Sequence, residues 1–207
     1  MMKGEFVGLL GVNGAGKSTL MKILSGILKA DSGNVSFNNK EFSDDSSDIK
    51  KRIGYLSEDN PLYDDMYVKE YLTYVAGIYN ADRKRIDLLI DQTGLQKEYK
   101  KKIKELSRGN RQRVGVAQAL IHDPEFLILD EATSGLDPNQ RESLNNLLIE
   151  LSANKVILYS THILSEVEEY CSRFVLLDKG HLIADHKIAE IDSIKEIFHQ
   201  LTNENNS

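Results

Sequence analysis

The sequence predicts an α/β fold: a mostly parallel sheet covered by helices, with a helical lobe inserted between its strands. Three observations carry this. Short apolar runs alternate with helical patterns, the signature of successive βα units. One run, Phe6-Val7-Gly8-Leu9-Leu10, leads into a glycine-rich turn and then a helical pattern from Thr19 to Leu24. Another, Phe126-Leu127-Ile128-Leu129, lacks polar alternation and is expected to be a central strand buried on both faces.

The elements follow in order. Strands are expected near Glu5–Leu10, Val35–Phe37, Ile53–Leu56, Glu125–Asp130, Val156–Ser160 and Arg173–Leu177. The polar, turn-rich stretch Asn38–Asp48 reads as a surface loop. From Pro61 to His122 the alternation stops. Tyr67–Tyr79, Arg83–Thr93 and Arg111–Ile121 carry loose three- and four-residue apolar spacing, as at Leu72, Val75 and Ile78, and predict a helical lobe over residues 62–123. Pro138 opens a further helix at its favoured first-turn position. Apolar runs on either side of Asp178-Lys179-Gly180 predict a hairpin. Residues 193–207 read as a C-terminal helix, Ser193–Leu201, and a polar tail, Thr202–Ser207. A chain of 207 residues can bury one good core, and a single domain over residues 1–207 is expected.

Composition narrows the function classes. Hydrophobic residues make up 41% and charged residues 28%, ordinary for a globular domain. A net charge of −6 gives no electrostatic footprint for nucleic acid, and the five lysines between Lys97 and Lys104 read as a solvated face. No apolar run approaches the roughly 18–20 residues of a membrane span. The opening Met1-Met2-Lys3-Gly4-Glu5 has no signal-peptide pattern. A single cysteine, Cys171, excludes an internal disulfide and fits a reducing compartment, where a buried, inert thiol is expected. The expected location is cytoplasmic, with any role at a membrane requiring a partner that spans it.

Chemistry concentrates in a few segments. Gly11-Val12-Asn13-Gly14-Ala15-Gly16-Lys17-Ser18 matches G-x-x-x-x-G-K-[ST] between a strand and a helix, the context in which it works as a P-loop. Its glycines leave bare backbone whose N–H groups converge on phosphate oxygens, and the following helix adds the positive end of its dipole. The nucleotide-binding set is Gly11, Asn13, Gly14, Ala15, Gly16, Lys17, Ser18 and Thr19. Lys17 would reach the β- and γ-phosphates and Ser18 would ligate Mg²⁺. The run ending in Asp130 and Glu131 puts two carboxylates at a strand's carboxyl end, where such sheets bind ligands. Asp130 is the second candidate Mg²⁺ ligand, and Glu131 the candidate general base for an attacking water. Ser160-Thr161-His162 ends the next strand, and His162 on that rim could donate to a γ-phosphate. Ser107 and Gly109, opening a helix, form another exposed N-terminus able to bind anions. The other histidines fit no constellation.

The order P-loop, Leu106-Ser107-Arg108-Gly109-Asn110-Arg111-Gln112-Arg113, hydrophobic strand with Asp130-Glu131, Ser134-Gly135-Leu136-Asp137, Thr161-His162 resembles the nucleotide-binding domain of an ABC transporter. The resemblance runs from Lys3 to Asp185. The wording around Asn60-Pro61-Leu62-Tyr63 and Gln118–Pro124 is most similar to bacterial exporter-type subunits, including the gliding-motility kind. It implies a P-loop NTPase that binds and hydrolyses MgATP in a head-to-tail dimer, on the inner face of the membrane, and drives separate permease subunits. The signature residues Ser107, Arg108, Gly109 and Asn110 would face the partner subunit's ATP, with Ser107 and Gly109 at its γ-phosphate. Asp137 would lie at the dimer interface as the D-loop, and His162 would be the switch histidine.

The sequence departs from that family in four respects. Arg108 and Asn110 replace a glycine and a glutamine of the usual signature. Glu58 stands at the Q-loop position, where a carboxylate can still approach Mg²⁺ or its water. Ala132 replaces the proline after the catalytic glutamate. The usual N-terminal strands, about thirty residues with an adenine-stacking aromatic, have no counterpart ahead of Gly11, and losing that stacking could cost on the order of 1–3 kcal/mol of affinity. The alternative expectation is therefore an N-terminally truncated nucleotide-binding module with weak or no turnover.

Overall fold

The computed structural model describes residues 1–42 and 46–198. In chain order its strands and α-helices are β1 (Phe6–Leu10), α1 (Lys17–Leu24), β2 (Ser36–Phe37), β3 (Lys40–Glu41), α2 (Ser47–Lys50), β4 (Ile53–Leu56), α3 (Val68–Tyr79), α4 (Lys84–Gln92), α5 (Arg108–Leu120), β5 (Phe126–Asp130), α6 (Pro138–Ser152), β6 (Val156–Ser160), α7 (Leu164–Tyr170), β7 (Arg173–Asp178) and β8 (His181–Lys187). The expected C-terminal helix begins at Ile194, one residue after Ser193, and is helical over residues 194–198; residues 199–207 lie outside the described residues. No helix among the described residues is long and apolar enough to cross a membrane.

The main sheet runs β4-β5-β6-β1-β7-β8, and every pairing is parallel except β7 with β8. Parallel strands put their carboxyl ends on one rim, so the loops after β1, β5 and β6 emerge together. That places Gly11, Glu131 and Thr161 on one edge of the sheet. The missing alternation in β5 has its expected cause. Leu127 and Leu129 join the core that also holds α5, α6 and α7 residues, while Phe126 and Ile128 join Met21 of α1 on the other face. β5 is interior, with β4 and β6 as its neighbours. The β7–β8 hairpin closes through Lys179 and Gly180, both at positive φ, which suits a two-residue turn joining twisted strands.

Two expectations need correction. The stretch read as a loop, Asn38–Asp48, contains structure: β3 pairs antiparallel with β2, and α2 begins at Ser47. The signal was Asn38-Asn39, both at positive φ in a two-residue turn. Residues 43–45 of that stretch lie outside the described residues. Helix α5 starts at Arg108, three residues before the expected Arg111, because the Ser107 side chain accepts from the Asn110 N–H at 3.2 Å and caps the helix there. Cys171 is buried as expected, and burial drives its thiol pKa up.

The inserted segment between β4 and β5 holds α3, α4 and α5, which pack on one another, and α5 also packs on β4. That contact is close. A Cβ at Gly54 would come 2.2 Å from the Ala119 carbonyl, and one at Gly115 would come 2.4 Å from Asn60 Oδ1. The lobe is thus seated on the sheet edge beside the loop after β4.

Candidate nucleotide site

The turn between β1 and α1 has the form of a phosphate cradle. Gly11 must be glycine, since a Cβ there would lie 2.4 Å from the Leu177 carbonyl. Gly16 caps α1 at φ 99°, in the left-handed region that favours glycine. Val12, Asn13 and Gly14 are exposed and Ala15 is buried, its carbonyl accepting from Gly180 N–H at 3.0 Å. Lys17 Nζ donates to the Gly11 and Val12 carbonyls at 2.7 and 3.2 Å, curling the ammonium over the loop. Ser18 and Thr19 stand in the first turn of α1, which carries no acidic residue, so nothing there opposes an anion.

Asp130, the last residue of β5, is only 2% exposed and accepts from Ser160 Oγ at 2.5 Å. The parallel register sets Asp130 directly opposite Ser160. Glu131 follows at φ 53°, a left-handed conformation that costs a non-glycine residue about 1–3 kcal/mol. Its backbone is held on both sides: the N–H donates to Ser160 Oγ at 3.0 Å, and the carbonyl accepts from Gln112 Nε2 at 3.2 Å. The strained turn aims the carboxylate at His162, whose Nδ1 lies 2.9 Å from Oε2. The Glu131 side chain is 16% exposed and that of His162 is 69% exposed, so the histidine caps the carboxylate from the solvent side. Burial raises the Glu131 pKa, against the opposing pull of the His162 hydrogen bond and the Lys17 charge.

Ser18 in the first turn of α1 and Asp130 at the end of β5 offer a hydroxyl and a carboxylate, both hard-oxygen donors. Mg²⁺ is bound by one or two protein oxygens plus water and phosphate, so this set fits it. Asp130 has one oxygen committed to Ser160, which fixes the orientation of the other. Burial, with the Asp130 charge behind it, pushes the half-buried Tyr55 phenol up to about 12.

The signature segment and the loop after Glu131 pack against each other. A Cβ at Gly109 would come 3.0 Å from the Gly135 carbonyl, and Arg108 lies over Gly135 with its Nη2 donating to Ser134 Oγ at 2.9 Å. Asp137 caps α6, accepting from Gln140 N–H at 2.9 Å. Glu58 is exposed in the turn after β4. The residue of that turn reaching inward is Asn60, buried, with Nδ2 2.8 Å from the Arg111 carbonyl and 3.3 Å from Gln112 Oε1. Asn60, Gln112 and Ser160 were not singled out from the sequence. All three lie inside segments named from the sequence, but the backbone atoms they hold are far away in the chain.

A P-loop beside a buried strand ending in Asp-Glu, with a histidine on the same rim, defines a P-loop NTPase. The sequence pattern of the family described as "ABC transporter" matches residues 1–134, and this chain belongs to that family. An uncharacterized ABC transporter ATP-binding protein of Nostoc sp. is 41% identical over 204 residues, covering 95% of this chain and 60% of the relative. The lantibiotic transport ATP-binding protein SrtF of Streptococcus pyogenes is 36% identical, covering 95% of this chain and 85% of its own length. A solved ATP-binding subunit of an ABC transporter superimposes with a TM-score of 0.87 at 31% identity, covering 96% of this chain and 88% of that one. An ATP-binding cassette solved as a dimer in a post-hydrolysis state with ADP and Pi gives 0.83 at 26% identity, covering 91% and 87%. This chain spans 55–65% of the length of the first curated relatives it matches.

Proposed function

We propose that this chain binds MgATP and hydrolyses it in a head-to-tail dimer, driving transport by separate membrane subunits from the cytoplasmic face. The observation that carries this reading is the Glu131–His162 pair, held 2.9 Å apart on the rim that also bears the P-loop. Lys17 and the P-loop N–H groups hold the phosphates, and Ser18 and Asp130 would hold Mg²⁺, which would neutralise phosphate charge. Glu131 orients the attacking water and takes its proton; His162 donates to the γ-phosphate. Ser107, Arg108, Gly109 and Asn110 meet the second subunit's ATP, and Asp137 lies at that interface. The neighbouring cassette solved as a dimer supports the dimeric reading. Exposed Tyr63, Tyr67 and Tyr74 give the helical lobe an aromatic face suited to a membrane subunit. The relative named for lantibiotic transport supports a transport role.

The test is steady-state ATPase of the purified chain beside its Glu131→Gln variant. The expected result is Mg²⁺-dependent turnover that falls at least a hundredfold in the variant, with ATP affinity retained. Undiminished turnover in Glu131→Gln sinks the assignment of the base. ATP binding without turnover in the unaltered chain favours a binding module instead.

A further inference from the structure

We propose that Glu166 is a positioning residue that sets the Glu131–His162 pair, acting through the two loops that present it. The inference rests on the roles given above to Glu131 and His162. Glu166 projects from α7 and is only 4% exposed, yet it lies in neither motif that carries those residues. Its Oε2 accepts from Tyr159 Oη at 2.5 Å and from Thr161 Oγ1 at 2.8 Å, and Thr133 Oγ1 stands 3.3 Å from both carboxylate oxygens. Arg141 Nε of α6 lies 3.3 Å from Oε1. One carboxylate therefore gathers three hydroxyls and a guanidinium.

The connectivity of those hydroxyls gives the cluster its meaning. Thr161 immediately precedes His162, and its Oγ1 also accepts from the Ile163 N–H at 3.1 Å. The Thr161 hydroxyl thus ties the residues flanking His162 to Glu166. Thr133 lies two residues past Glu131, and its Oγ1 shares a 2.8 Å hydrogen bond with Tyr159 Oη. Thr133, Tyr159 and Thr161 are all buried. The His162 side chain is exposed, so its own packing does not hold it; its backbone must. A buried ionic cluster is weak evidence for stability, because apolar replacements of similar volume are often neutral or better. What this cluster supplies is a fixed spacing between the loops of the base and the histidine.

The experiment compares Glu166→Gln and Thr161→Val with Leu89→Ala, a cavity variant in α4 of the helical lobe. Gln presents an amide donor to hydroxyls that must themselves donate, and Val removes the link to the His162 loop alone. We measure kcat and KM for ATP, and the His162 ring resonances by NMR, which need no turnover. The expected result is a kcat at least tenfold lower in both network variants, KM within twofold, and displaced His162 resonances. Leu89→Ala should lose stability while keeping kcat and the resonances. Unmoved His162 resonances in Thr161→Val overturn the proposal. So does a kcat within twofold of the unaltered chain, or an equal loss in Leu89→Ala. If Glu166→Gln does not fold, Thr161→Val still decides. If the unaltered chain shows no turnover, the ATPase reading fails, and the resonances still decide this one.

Discussion

Arg108 Nη2 donates to Ser134 Oγ at 2.9 Å, joining the first residue of α5 to the loop that follows Glu131. Both segments stand on the flank assigned to the second subunit's nucleotide. The arginine stands where the family usually has glycine, and its stem lies flat on Gly135, where a Cβ would meet Arg108 Cδ at 2.8 Å. In this chain the Arg108 side chain therefore covers Gly135 and reaches Ser134.

Arg108→Gly should cost folding about 1 kcal/mol, since it removes one exposed hydrogen bond within the chain and puts glycine in the first turn of α5. Its effect on assembly is indirect, through the Ser134 loop that the bond holds against α5. In the Glu131→Gln background, ATP-driven dimerisation should weaken about fivefold if that loop meets the second subunit, a loss on the order of 1 kcal/mol. Adding Ser134→Ala should weaken it little further, since the shared bond is already gone. Sedimentation velocity with and without MgATP measures both, and additive losses would refute the coupling.

The raised pKa of Glu131 fixes the sign of a pH dependence. A general base must be deprotonated, so kcat/KM rises with pH through the pKa of the free enzyme. Burial moves that acid limb above the ordinary glutamate value of about 4.3. The His162 hydrogen bond and charge oppose the shift, so His162→Gln should move the limb further up while lowering the plateau. A pH–rate series at ATP well below KM reads both. A limb at or below the ordinary value would exclude Glu131 as the base.

The legible parts of this site are those in which chemistry and neighbours are adjacent in the chain. The P-loop, the Asp130-Glu131 strand end and Thr161-His162 each show their residues within a few positions of the backbone that places them. The illegible parts are side chains that act at long range. Gln112 holds the Glu131 carbonyl from 19 positions away, and Ser160 holds its N–H from 29. Glu166 reads as an unremarked acid on a helix, and only the packing of α7 reveals three hydroxyls around it. Length sets a second limit: the strand expected at Val35–Phe37 is β2, but its partner β3 has two residues, too few for periodicity to register.

Two glycines separate packing from propensity. A Cβ at Gly54 would collide with the Ala119 carbonyl and crowd Pro124 and Leu127. Backbone cannot yield as a side chain can, so Gly54→Ala should cost at least about 2 kcal/mol. Gly77 in the exposed face of α3 has nothing within 4 Å of its would-be Cβ. Gly77→Ala should stabilise by about 0.5–1 kcal/mol through helix propensity alone. Urea unfolding of the pair provides the check, and a Gly54→Ala as stable as the unaltered chain would contradict the contact between β4 and α5.

Arg173 on β7 forks onto Asp185 of β8, with Nε–Oδ1 and Nη2–Oδ2 both at 2.6 Å, and also reaches Glu5 at 3.2 Å. The guanidinium lowers the Asp185 pKa, against a smaller opposing desolvation. A lowered folded pKa contributes stability above the unfolded value of about 3.9 and loses it as pH falls through the folded value. The side chains are 25% and 35% exposed, so solvent screening holds the pair to about 0.5–1 kcal/mol. Asp185→Asn should therefore lower Tm by about 2–4 °C or less at pH 7. The gap to the unaltered chain should close as pH drops below about 4, where the carboxylate protonates in the unfolded chain and then in the fold. Thermal melts of both chains across that range test the sign: a gap that widens in acid would show that the pair does not stabilise as an ion pair.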